Sequence, residues 1–130
     1  MRVESQAGSY FSSVKEVKLI ERTANSVSVE FSVSSDSPYF DGHFPEFALL
    51  PAVAQVELII RFASEYLGTG VDISEMRRVK FMQFILPDSR LLLWMEKTEK
   101  NLSFKMISPK DKSLYSSGTL AISFRESEDK

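Results

Sequence analysis

The residues able to do chemistry gather between Tyr39 and Arg61, around the only histidine of the chain, His43. An imidazole with an ordinary pKa of about 6.5 takes and returns protons near neutrality. It stands in a Gly42-His43-Phe44-Pro45 turn, and fourteen residues later comes Glu57. From 52 to 63 the only polar residues are Gln55, Glu57 and Arg61. A carboxyl on so apolar a segment can hold or donate a proton if burial raises its pKa. Each residue also has a plain structural reading. His43 by itself suits a loop histidine bonded to backbone. Arg61 stands four residues after Glu57, a spacing that favours an ion pair on a helix. Such a pair would keep the carboxylate ionised. Asp41 beside Gly42-His43 hints at a metal, but one histidine and no cysteine argue against a metal site.

Positioning these groups falls to a loop and a helix. Residues 35–50 carry Ser, Asp, Pro and Gly and predict a long loop. Pro51, tolerated in a first helical turn, and Gly68, a good C-terminal cap, bracket a predicted helix over 52–67. Its apolar residues run almost all the way round, which predicts burial on most sides. Upstream, 14–22 alternates in part, and 26–34 alternates cleanly with Val27, Val29, Phe31 and Val33 on one face. Thr23 to Asn25 suits the hairpin turn between them. Downstream, strands are predicted over 77–85, 90–97, 102–107 and 113–124, with turns at Pro87-Asp88 and Pro109 to Lys112. Trp94 and Met95 are expected in the core. Consecutive strands with short turns favour an antiparallel sheet with one helix against it, an α+β domain spanning 1–130.

Composition narrows the function classes. A chain of 130 residues, 43% hydrophobic, can bury one core without staples. Sixteen basic residues against eighteen acidic ones are too even for nucleic-acid binding through a general basic field. The absence of cysteine removes disulfides, thiolate zinc sites and cysteine nucleophiles. No apolar run approaches the ~18 residues of a membrane span, and the N-terminus lacks the apolar stretch of a signal peptide. The expectation is a cytoplasmic protein with no membrane or nucleic-acid partner. The acidic tail from Glu126 to Lys130 is expected to fray.

The stretch YFDGHFPEFALLPAVAQVELIIR is similar to the 3-hydroxyacyl-[acyl carrier protein] dehydratases of the FabZ and FabA type, which are hot-dog proteins. Their Gly-His-Phe-Pro turn stands intact, Pro51 opens the helix, and Glu57 has the spacing of their catalytic carboxylate. Further on, VKFMQFILPDSRL resembles their strand motif. Ala48, Ala52 and Arg61 stand where that family has proline, glycine and glutamine. Gln55 resembles a branch found with aryl polyene or other specialised lipid pathways.

The resemblance implies a hot-dog fold, a curved antiparallel sheet around one helix. It also implies dehydration of a 3-hydroxyacyl thioester, on acyl carrier protein, to the trans-2-enoyl thioester. His43 would be the base, and Glu57 the acid or the holder of the leaving hydroxyl. The free amides of Ala52 and Val53, at the positive end of the helix dipole, would polarise the thioester carbonyl. Gly42, Phe44 and Pro45 would shape the substrate turn. Phe81 and Phe84, with Ile85, would line an acyl tunnel; their ordinary reading is sheet core. Arg77, Arg78 and Lys80 would receive the acidic carrier protein, or else form a solvated strand edge. No metal or other cofactor is implied. The family pairs the histidine of one subunit with the carboxylate of another, which implies a homodimer with composite sites, or a higher oligomer. Two rivals stand beside this reading. One is a hot-dog acyl thioesterase using Glu57 to activate water. The other is a catalytically weak subunit that binds acyl chains or carrier protein.

Overall fold

The computed structural model describes residues 14–35, 50, 52–68 and 71–124. His43, with Gly42, Phe44 and Pro45, lies outside them, as do Asp41, Ala48 and the acidic tail. The elements follow the expected order: β1 (Val14–Arg22), β2 (Ser26–Val33), α1 (Ala52–Leu67), β3 (Val71–Phe81), β4 (Arg90–Lys97), β5 (Asn101–Ile107) and β6 (Leu114–Phe124). The strands form one six-stranded antiparallel sheet in the order β1-β2-β4-β5-β6-β3. Short turns join β1 to β2 and β4 through β6, so these neighbours pair directly. The helix intervenes between β2 and β3, and the chain returns at the far edge.

Period-two patterning builds the core. Val27, Val29, Phe31 and Val33 from β2 are buried, as are Leu91, Leu93 and Met95 from β4. Leu102, Phe104 and Met106 from β5 and Leu120 and Ile122 from β6 complete the layer. Against it lie Ala54, Leu58, Ile59, Phe62, Ala63 and Leu67 of α1, at helical spacing on one face. Phe62 packs on Phe31 with ring centroids 4.9 Å apart.

Four expectations need correction. The helix is buried on one face only; Ala52 and Glu65 are exposed, and Val56, Glu57, Ile60 and Arg61 are half-buried. A single sheet covers one side of a helix, however apolar the other side is. Trp94 is half-buried on the opposite face of the sheet from Met95, because successive strand residues point to opposite faces. Strand β3 runs from Val71 to Phe81, not from 77 to 85. Phe81 and Phe84 are exposed, at 43% and 76%, so neither belongs to the sheet core, whereas Ile85 does. The helix ends at Leu67, ahead of Gly68, as expected. Gly68 leaves it in near-extended backbone, and cations from the sheet cap the last carbonyls. The Arg22 guanidinium donates to the Tyr66 oxygen at 3.0 Å and Lys97 Nζ to the Leu67 oxygen at 2.6 Å.

Candidate active site

Glu57 sits five residues into α1, which at 1.5 Å per residue puts it about 8 Å along the axis from the first turn. It stands at the border of the buried face. Burial pushes its carboxyl up from the ordinary value, and the Arg61 guanidinium one turn on pulls part of that back. The net direction is upward, so desolvation outweighs the cation that the i+4 spacing supplies. A half-buried carboxyl held protonated over a wider pH range can give up a proton to a leaving hydroxyl.

Ala52 opens the helix and is exposed. Its amide and that of Val53 fall in the first turn, where no intrahelical carbonyl is available to them. The first turn carries no acidic residue to compete for them.

A ring of hydrogen bonds surrounds this helix start. The Leu50 amide donates to the Ile85 carbonyl at 2.9 Å. The Leu50 carbonyl accepts from Gln55 Nε2 at 3.4 Å. Gln55 Oε1 accepts from the Ser116 hydroxyl of β6 at 2.9 Å. The Tyr115 carbonyl, one residue earlier on β6, accepts from the Met82 amide at 2.8 Å, which closes the ring through the connection after β3. Gln55 and Ser116 are both buried, at 3% and 0% exposure. Gln55 is legible in the sequence as a polar residue in an apolar helix. Ser116 carries no such mark, since its partner is 61 residues away.

Arg77, Arg78 and Lys80 are exposed on edge strand β3, but they are not equivalent. Arg77 pairs with Glu75 at 3.2 Å. Arg78 has a left-handed backbone, φ 54°, at a bulge where the pairing shifts between Arg77 and Lys80. Arg78 and Lys80 border a depression of about 540 Å³ on the face of the sheet away from α1. Lys105 and Trp94 also line it, with Lys105 Nζ 5.7 Å from the centre of the indole ring. Among the described residues no carboxylate lines this depression. The structure thus brings Glu57, Ala52, Val53 and Gln55 together on the helix, and separates them by the sheet from the cationic groove. Among the described residues no helix is long and apolar enough to cross a membrane.

Known proteins agree with this architecture. The chain is 25% identical over 117 residues to a 3-hydroxyacyl-[acyl-carrier-protein] dehydratase FabZ of Streptococcus equi subsp. zooepidemicus, covering 82% of this chain and 84% of that protein. Among solved structures it superposes on the dehydratase heterocomplex ApeI:P from Xenorhabdus doucetiae with a TM-score of 0.71 and 25% identity, over 83% of this chain and 98% of the other. Zebrafish thioesterase superfamily member 2 shares the fold alone, with a TM-score of 0.60 at 13% identity, over 85% of this chain and 80% of that one. These are hot-dog proteins, and the six-stranded sheet with α1 against it is the hot-dog fold. Residues 19–119 match the profile of the ApeI-like family, described as ApeI dehydratase. That span takes in Glu57, the helix start and the strands that hold them, and the chain belongs to the ApeI-like dehydratase family.

Proposed function

We propose that the protein removes water from a 3-hydroxyacyl thioester carried on an acyl carrier protein, giving the trans-2-enoyl thioester. The observation that carries the reading is Glu57, lodged one and a half turns behind a helix start with its carboxyl pushed up by burial. In this reaction His43 takes the proton from the carbon beside the thioester carbonyl. Negative charge grows on the thioester oxygen, and the Ala52 and Val53 amides receive it; one such donor is worth about 3 kcal/mol in a transition state. The electron pair closes the double bond as the 3-hydroxyl leaves, and Glu57 gives that hydroxyl its proton. One water is released, and solvent returns the proton from His43 to Glu57. The roles of His43, Gly42, Phe44 and Pro45 rest on the sequence resemblance.

The second subunit is part of this proposal. Edge strand β3 is unpaired on one side among the described residues. Met76, Phe81, Met82, Phe84 and Leu86 leave 43–76% of their surface exposed on it and just beyond it. Such a run beside an open edge suits a partner strand. A homodimer would bring His43 of one copy to Glu57 of the other, with Phe81 and Phe84 shielding the acyl chain. The relative solved as a heterocomplex makes an unlike partner the competing outcome. Arg78 and Lys80, joined by Lys105, are the proposed contact for the acidic carrier protein.

The deciding assay follows the enoyl product from 3-hydroxyacyl thioesters on acyl carrier protein, for wild type, His43→Ala and Glu57→Gln. The expected result is turnover in wild type and a loss of at least about a hundredfold in each variant. Release of free acid instead would assign a thioesterase. No turnover over several chain lengths, with carrier protein still bound, would leave a binding subunit.

A further inference from the structure

The ring of hydrogen bonds at the helix start contains the one fully buried polar side chain of α1 among those described, Gln55, and a fully buried hydroxyl, Ser116. The same helix face is otherwise apolar: Ala54, Leu58, Ile59, Phe62 and Ala63. What the polar pair adds is direction. Gln55 reaches back and grips the Leu50 carbonyl, at the junction between the 36–49 segment and the helix. The opposite side of Leu50 is held by the Ile85 carbonyl at 2.9 Å. Ser116 fixes the other end of the amide at 2.9 Å, which sets its orientation so that the NH2 group faces Leu50. Four separate parts of the chain meet in this clamp: Leu50 ahead of the helix, the helix that bears Glu57, the connection that bears Phe84, and strand β6.

We infer that Gln55 and Ser116 are positioning residues of the dehydration site, a buried clamp that sets Leu50 and the Ala52 and Val53 amides at the helix start that carries Glu57. The inference rests on the dehydratase reading. A catalytic centre of this kind is sensitive to displacement, and small misplacements far from the reacting atoms cost large factors in rate.

The test separates positioning from stability. Ser116→Ala alone orphans the Gln55 amide oxygen and is expected to lower both Tm and kcat. The double variant Gln55→Met with Ser116→Ala removes the Gln55–Ser116 bond from both ends and leaves only the Leu50 carbonyl without its donor. Its Tm is expected to rise above that of Ser116→Ala while kcat stays about tenfold below wild type and KM moves less than about twofold. Hydrogen exchange in the double variant is expected to quicken at residues 50–56 and to stay unchanged in β4 and β5. Recovery of kcat together with Tm would overturn the inference, as would unchanged exchange at 50–56. If wild type does not dehydrate at all, the dehydratase reading fails by itself. Exchange then decides the clamp alone: quickening confined to the helix start supports it, and no change refutes it.

Discussion

At Glu57 two physical effects oppose one another, and burial prevails over the Arg61 cation. A consequence for stability follows from the sign. A carboxyl whose pKa is raised on folding favours the folded state below its ordinary pKa of about 4.3 and loses that benefit as pH climbs through the folded value. Glutamine in its place does not titrate. Glu57→Gln is therefore expected to gain Tm over wild type at about pH 7, with the gain shrinking towards about pH 3.5. Thermal melts across that range check it, and a gain that grew on acidification would show that Arg61, not desolvation, governs the site. The same substitution removes the proton donor, so stability and activity should move in opposite directions, as strained functional sites commonly do.

Among the elements, β3 and β6 meet closely at Gly118. The bulge at Arg78 brings the β3 backbone so close to Gly118 that a Cβ there would lie 2.8 Å from Val79 Cα and 2.7 Å from its Cγ2. Backbone cannot yield as a side-chain tip can. Gly118→Ala is expected to cost about 1–3 kcal/mol by overpacking, measured by denaturant or thermal unfolding. A neutral result would mean that the bulge slides. At the other end of the fold Arg90 performs the lacing: it bonds Glu30 at 3.2 Å and the Glu16 carbonyl at 2.7 Å, across a second bulge with φ 54° at Glu16. Both sheet edges thus carry a bulge, a device that re-aims side chains and interrupts pairing.

On the scale of the whole molecule, one open edge and one cationic groove make separate predictions. If β3 is the seam of a homodimer, Phe84→Asp with Met76→Asp is expected to turn a dimer into a monomer in sedimentation and to abolish turnover. A wild-type monomer at micromolar concentration would refute the homodimer and favour an unlike partner. If Arg78 and Lys80 receive the carrier protein, reversing both to Glu should lower kcat/KM about tenfold at low salt, with the difference narrowing as ionic strength rises. Arg77→Glu should do less, because Glu75 already pairs with that guanidinium at 3.2 Å. An equal loss from all three, or no salt dependence, would remove the groove from the carrier-protein interface.

The sequence by itself determined the element order, the bounds of α1 and the buried face of β2, since periods of 2 and 3.6 are local properties. It also singled out Glu57 and Gln55, as polar residues interrupting an apolar helix. Tertiary structure decided everything that depends on what lies across a gap in sequence. Whether burial or Arg61 controls Glu57 depends on how far the sheet covers the helix, and periodicity is silent on that. Phe81 and Phe84 have core composition yet stand exposed, because they fall at the end of an edge strand and in the connection after it. Trp94 faces away from the helix because its neighbours Leu93 and Met95 claim the core side. Ser116 became visible only when β6 came to lie beneath α1, for a hydrogen bond spanning 61 residues leaves no local pattern.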